Sequence, residues 1–379
     1  KTYRLNIGQE TAPTPGQPDK QAMVLPIKFG LVGPNGQDME WSSVSGARIE
    51  GDMIVLDGAS AEIVFTGVGN RPVPSLFRQF SAPVKLVSEA SVGDQLFLAR
   101  HDGDPFNRWQ ALQDVATRLM VDAVKGGAAL PANDVAALAT ALGDTLAAED
   151  LDPAFKAHAL ALPPQSAIAR AIGSDIDPAR IHAVHGQLLA GIVGSIGNEI
   201  EATYHATAVG APYSPDAAQA GARALSNAAL RLLVGGQAPG AEALAATQYE
   251  TASNMTDRMA ALAAAVSQWT GDAQRLLDNF RVRFAGEPLV YDKWLAMSAS
   301  APDDGVLERV QAILLAPDFP RNNPNRLRSL VHTFGTGNPV QFARPDGAGF
   351  RFVADFVADV DGRNPQVAGA DRVPDLAEL

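Results

Sequence analysis

The side chains with the widest chemical repertoire here are the six histidines, His101, His158, His182, His185, His205 and His332. His182 and His185 form H-x-x-H, a spacing that sets both imidazoles on one helix face, within reach of a common metal ion. A zinc site needs further protein ligands, and none of fixed spacing accompanies the pair, which reads instead as two residues of a packed or solvated helix face. No histidine opens H-E-x-x-H, where imidazoles four residues apart share a metal and the intervening Glu polarises water. G-x-S-x-G does not occur, and no Ser-His-Asp order can be defended. The glycine-rich DGAGF, Asp346 to Phe350, lacks both the Lys-Ser/Thr pair and the preceding strand of a phosphate-cradling loop. The sequence therefore offers no catalytic residue and no metal ligand.

Two arginines remain. Arg326 and Arg328 lie in NPNRLRSL, two residues apart and so about 200° around a helix; they face different ways, one toward packing and the other toward a cavity. The same motif explains its own geometry, because Asn323 can cap the helix while Pro324 takes the first helical position, where its missing N–H costs nothing. His332 follows in an apolar LVHTF run, which predicts a packed imidazole. Asp303 and Asp304 follow Pro302 and read as N-cap and first-turn charge. Gly347 and Gly349 allow a tight entry into a helix carrying Phe352, Phe356 and Val360 on one face.

These residues need elements to hold them, and the pattern changes near residue 100. Before it, alternating runs such as Tyr3, Leu5 and Ile7, or Ala61, Ile63 and Phe65, are separated by turn residues. GPNGQ at Gly33 to Gln37 signals a tight turn, and Gly51 and Asp52 divide two β-rich runs. Some seven short strands predict a two-sheet sandwich. After Asp104 the spacing is helical. Trp109, Leu112, Val115, Leu119 and Val121 define a first helix over 105–125, and further helices are expected at 132–148, 153–161, 178–208, 215–234, 239–250, 255–269, 273–285, 288–299 and 304–315. The expected domains are 1–100, a β-sandwich, and 101–379, α-helical, with the boundary between Leu98 and Pro105. Brief loops between antiparallel helices fit a bundle or a stack of helical pairs.

Composition narrows the functional classes. With 30 basic against 42 acidic residues and a formal charge of -12, the chain is a poor partner for nucleic acid or an anionic membrane surface. It has no cysteine, so disulfides and thiolate metal sites are excluded. No apolar run reaches the length of about 20 residues that spans a bilayer, and no leader pattern opens the sequence; the expected location is cytoplasmic.

Three segments together are specific: NPNRLRSL at Asn323 to Leu330, GNPVQFARPDGAGFRF at Gly337 to Phe352, and DGRNPQVA at Asp361 to Ala368. They resemble the distal part of the helical C-terminal domain of bacterial aminopeptidase N, a gluzincin-type zinc aminopeptidase. RPVPSLFRQFSAPVKL (Arg71 to Leu86), FLARHDGDPFNRW (Phe97 to Trp109) and NMTDRMAAL (Asn254 to Leu262) follow the family order. The resemblance implies an immunoglobulin-like β-sandwich followed by a curved helical superstructure. It also implies an enzyme that removes N-terminal amino acids from peptides, with its zinc in a catalytic domain of the same polypeptide, and this chain as a wall of the active-site chamber. The G-x-M-E-N segment by which the family holds a substrate's α-amino group is absent, as is H-E-x-x-H, so the chain alone is expected to be inactive.

The resemblance places the second arginine of N-P-N-R-x-R, here Arg328, at the active-site chamber, where a guanidinium can receive a peptide's carbonyls or C-terminal carboxylate. The alternative for Arg328 is a salt bridge between helices. A further family arginine would fall at Ala370, and Arg372 is two positions late, so that role is not carried over; the sequence departs from the family after about Ala368. An independent helical scaffold binding a protein partner on a concave surface is the rival reading.

Overall fold

The computed structural model describes residues 1–362 apart from 209 and 211. DGRNPQVA beyond Gly362, together with Ala370 and Arg372, lies outside the described residues. The chain divides into two compact units, residues 1–116 and 117–379.

In the first unit seven strands, β1 (Thr2–Gly8), β2 (Leu25–Val32), β3 (Ser43–Ser45), β4 (Arg48–Glu50), β5 (Met53–Leu56), β6 (Ser60–Thr66) and β7 (Val73–Leu76), make two sheets. One is ordered β1-β6-β3 and the other β4-β5-β2-β7. Every pairing is antiparallel, and β2 serves two partners in succession: Leu25 faces Leu56 on β5, and Phe29 faces Leu76 on β7. Register follows the alternation, because a one-residue slip would turn the buried set outward. Leu5, Ile27, Phe29, Leu31, Ile54, Ile63 and Phe65 form the core. Trp41 stacks on Phe29 at 5.4 Å and meets Phe65 edge-on at 5.3 Å. Both expected turns are present: Gly33 N–H donates to the Gln37 carbonyl at 2.8 Å, and Gly51, at φ +65°, joins Glu50 to Met53 across the β4–β5 hairpin.

The strand pattern ends earlier than the sequence indicates. Residues 92–101 form a helix, α1 (Val92–His101), whose Ser91 side chain accepts from Asp94 N–H. Between β7 and this helix lies a buried polar cluster. The Arg78 guanidinium reaches Asp38 at 2.6 and 2.8 Å and Asp102 at 3.1 Å, and its Nε donates to Ser75 Oγ at 2.9 Å. Asp104 accepts from the backbone N–H of Gln79 and of Asn107. Phe77, Gln79 and Phe80 all have positive φ, a left-handed backbone costing roughly 1–2 kcal/mol per residue, and the Asp104 bonds help hold it. Gly30 is required opposite: a Cβ there would lie 2.2 Å from Arg78 Nη1. The segments 71–86 and 97–109, which carry part of the family resemblance, thus contribute a structural network.

Helices follow in the order α2 (Pro105–Gly126), α3 (Ala132–Ala147), α4 (Pro153–Leu160), α5 (Gln165–Ile172), α6 (Pro178–Thr207), α7 (Ala217–Gly235), α8 (Ala241–Thr251) and α9 (Met255–Ser267). They continue through α10 (Ala273–Arg283), α11 (Pro288–Ser300), α12 (Val306–Leu315), α13 (Pro324–Leu327), α14 (Thr333–Gly337), α15 (Pro339–Phe342) and α16 (Ala348–Asp361). The expected helices appear within a few residues of their bounds, while α5 joins them unannounced. Helix α7 is buried nearly all round, as suits the centre of a helical layer. Helix α6 kinks at Ile196, φ -131°, beside Gly194 and Gly197. Asn254 caps α9 and binds Asp257, which also accepts from buried Asn227.

Candidate functional site

Residues 288–361 place the two arginines. Asn323 Oδ1 accepts from Asn325 N–H at 3.0 Å, and Pro324 opens α13, the capping expected from the sequence. Residues 328–332 then form a π-helical turn, Arg328–His332, closed by Thr333 N–H donating to the Arg328 carbonyl, before α14 resumes the α ladder. Single π turns are frequent at functional sites.

Arg326 is buried. Its Nη1 donates to the Pro288 carbonyl at 2.7 Å and to Asp292, and the guanidinium lies 4.9 Å from the centre of the Tyr291 ring. Arg328, on the other side of the helix, is exposed, and its guanidinium makes no hydrogen bond or ion pair among the described residues. Packing therefore falls to Arg326 and leaves Arg328 available to solvent. His332 is half-buried at the end of the π turn.

The neighbouring motif residues hold the backbone. Asn338, 2% exposed, donates from Nδ2 to the Ala299 and Ala301 carbonyls at 3.1 and 2.6 Å and accepts from Gln341 N–H. Gln341 donates to the Pro302 carbonyl and to Asp304. Asp303 and Asp304 do not cap a helix as expected. Helix α12 begins later, after Gly305; Asp303 is claimed by Arg309 at 2.5 Å and by Gly305 N–H, and Asp304 by Gln341. Gly349 does have the role expected of it, since a Cβ there would lie 2.3 Å from the Phe342 carbonyl oxygen.

His182 and His185 are half-buried on α6 and line a cavity of about 260 Å³. Gln165 Nε2 stands 3.1 Å from His182 Nδ1. Burial pushes both imidazoles below their ordinary pKa, and His182 adds to the effect on His185. Among the described residues no three His, Asp or Glu side chains gather as metal ligands. No described helix is long and apolar enough to cross a membrane.

The described residues thus combine a two-sheet sandwich, a run of packed helices and an exposed arginine in the N-P-N-R-x-R segment. The first 89 residues match a family described as a domain of unknown function with an Ig-like fold, DUF3458. Residues 93–370 match its companion, a domain of unknown function described as ARM repeats, DUF3458_C, and the chain belongs to that family. It is 34% identical to aminopeptidase N of Escherichia coli strain K12, across 97% of this chain and 42% of that protein. The corresponding protein of Caulobacter vibrioides is 37% identical across 84% of this chain and 36% of the relative. The chain thus spans 36 to 42% of the length of these relatives, and what it resembles is one region of an aminopeptidase. A crystal structure of Legionella pneumophila aminopeptidase A in complex with aspartic acid shares the fold, with a TM-score of 0.81 at 22% identity over 98% of this chain and 42% of that one.

Proposed function

We propose that this chain is the non-catalytic C-terminal region of a zinc aminopeptidase N that removes N-terminal amino acids from peptides, and that it closes the active-site chamber and restricts access to it. The observation that carries this reading is similarity along 97% of the chain to part of an aminopeptidase N, in a sequence with no H-E-x-x-H. Metal and hydrolytic base belong to another part of the polypeptide, and no step of hydrolysis is assigned to residues here. The partners are that catalytic domain and peptide substrates. The cysteine-free composition supports a reducing, cytoplasmic setting.

Arg328 is the residue through which this region meets substrate. It is exposed and makes no hydrogen bond or ion pair among the described residues, which supports a role in receiving a peptide carbonyl or carboxylate. Replacing it by Ala in the full-length enzyme weakens peptide binding by about 1–3 kcal/mol, the scale of a hydrogen bond to a charged group, and leaves thermal stability unchanged. A destabilised enzyme with normal peptide kinetics would remove Arg328 from the functional residues. The isolated chain binds no stoichiometric zinc after dialysis and cleaves no aminoacyl arylamide. One zinc per chain, or activity surviving removal of host peptidases, refutes the proposal, and a gene without H-E-x-x-H upstream of Lys1 returns the chain to the scaffold reading.

A further inference from the structure

We propose that the cavity holding His182 and His185 is a binding site for a small amphipathic carboxylate. Two helices build it from matching stripes. Helix α6 supplies His182, His185, Gly186 and Leu189, and α7 supplies Ala228, Arg231, Leu232 and Gly235; both sets follow the spacing that keeps side chains on one helix face. Small residues keep the space open. A Cβ on Gly186 would meet nothing within 4 Å, so the space beside this cavity-lining glycine is open.

Of the polar groups around that space, Ser267 Oγ already donates to the Ala264 carbonyl, while three others have no hydrogen bond among the described residues. The Arg231 guanidinium has no hydrogen bond or ion pair among the described residues, and the His185 ring and the Gln268 amide have no hydrogen bond there. Gln165 with His182 is the polar pair already made. The balance of charge points the same way: in a chain with 42 acidic and 30 basic residues, no Asp or Glu among the described residues lines the cavity. A cation entering it meets Arg231 and no counter-ion. A carboxylate meets a forked guanidinium matched to its two oxygens, with imidazoles that burial keeps neutral and able to donate one N–H each. The remaining wall is apolar, from Leu160, Leu162 and Leu232, and suits a hydrocarbon tail. At about 260 Å³ the cavity falls below the roughly 300–1,000 Å³ of sites for drug-sized ligands, so the fitting acid is a short one, branched and of about five carbons.

The probe is isovalerate, compared with isovaleramide, which keeps the shape without the charge, and isoamylamine, which reverses it. Titrations of the 379-residue protein are followed by imidazole NMR resonances and calorimetry. Isovalerate shifts the His182 and His185 signals, isovaleramide binds at least about tenfold more weakly, as befits loss of a charge-assisted pair, and isoamylamine does not bind. Arg231→Met, at an exposed position, removes that preference for the acid over the amide. Gly186→Leu fills the void and abolishes binding of both while the melting temperature is retained. Equal affinity for acid and amide, binding that survives Gly186→Leu, or no imidazole shift with isovalerate at millimolar concentration would each overturn the assignment. Should Gly186→Leu fail to fold, the acid preference of the parent and of Arg231→Met still decides.

Discussion

Replacing Arg326 by Ala tests the division of labour between the two arginines. The Arg326 and Asp292 side chains keep 11% and 19% of their exposure, so truncation leaves a carboxylate largely buried without its counter-ion. It also removes the bond to the Pro288 carbonyl and the cation over the Tyr291 ring. Breaking a buried pair from one side costs about 3–5 kcal/mol. Because Asp292 retains some access to water, the lower end, about 3 kcal/mol, applies. For a unit of this size about 1 kcal/mol moves the melting temperature by roughly 2 °C, so Arg326→Ala melts about 6 °C below the parent. Arg328→Ala, measured beside it by calorimetry or circular dichroism, stays within about 1 °C, as exposed substitutions do. A drop under about 2 °C for Arg326→Ala, or an equal drop for both, would refute the assignment of packing to one arginine and solvent access to the other.

Gly30→Ala drives a methyl group against the Arg78 guanidinium, 2.2 Å away, and separates it from Asp38 and Asp102; chemical denaturation should show the first unit destabilised by about 3 kcal/mol or more. The pH dependence carries a defined sign. The His182 and His185 imidazoles are held below the ordinary value of 6.5, so at these two sites the unfolded chain protonates first on acidification. Stability is therefore lost as pH falls through 6.5 toward the lower folded value. Urea midpoints between pH 7.5 and 5 decline in the parent and decline less in His185→Gln; a steeper decline in the variant contradicts the burial argument.

How much of this was legible in the sequence depends on the reach of each interaction. The helix at 105–126 and the β4–β5 hairpin rest on neighbours in sequence, and both were readable from spacing and turn chemistry. Helix α1 carried a local signal as well, Ser91 followed three residues later by Asp94, the pattern of an N-terminal cap; the alternating runs before it masked that signal. The short α5 has no side-chain cap and sits just beyond two prolines, so it gave none. Asp303 and Asp304 depart from the cap expected of them because Arg309 and Gln341 bind their carboxylates. Arg78 and Asp38 are 40 residues apart, and no periodicity joins them. Helical geometry put Arg326 and Arg328 on opposite sides, but which of them faces inward depends on Asp292 and Tyr291, on another helix. His182 and His185 were legible as a pair on one face, whereas the facing stripe of α7 that makes a cavity of them was not.

The π turn at Arg328–His332 also sets what the chain can tolerate in length. It accommodates one more residue than an α turn, and an α-helix advances about 100° per residue. Deleting a single residue there would restore an unbroken ladder and rotate everything downstream by about that angle relative to Arg326. Phe334, fully buried, and Asn338, bonded to the Ala299 and Ala301 carbonyls, would then leave their seats together. Substitutions within the turn keep the phase while changes of length lose it, so the segment is closed to drift in register.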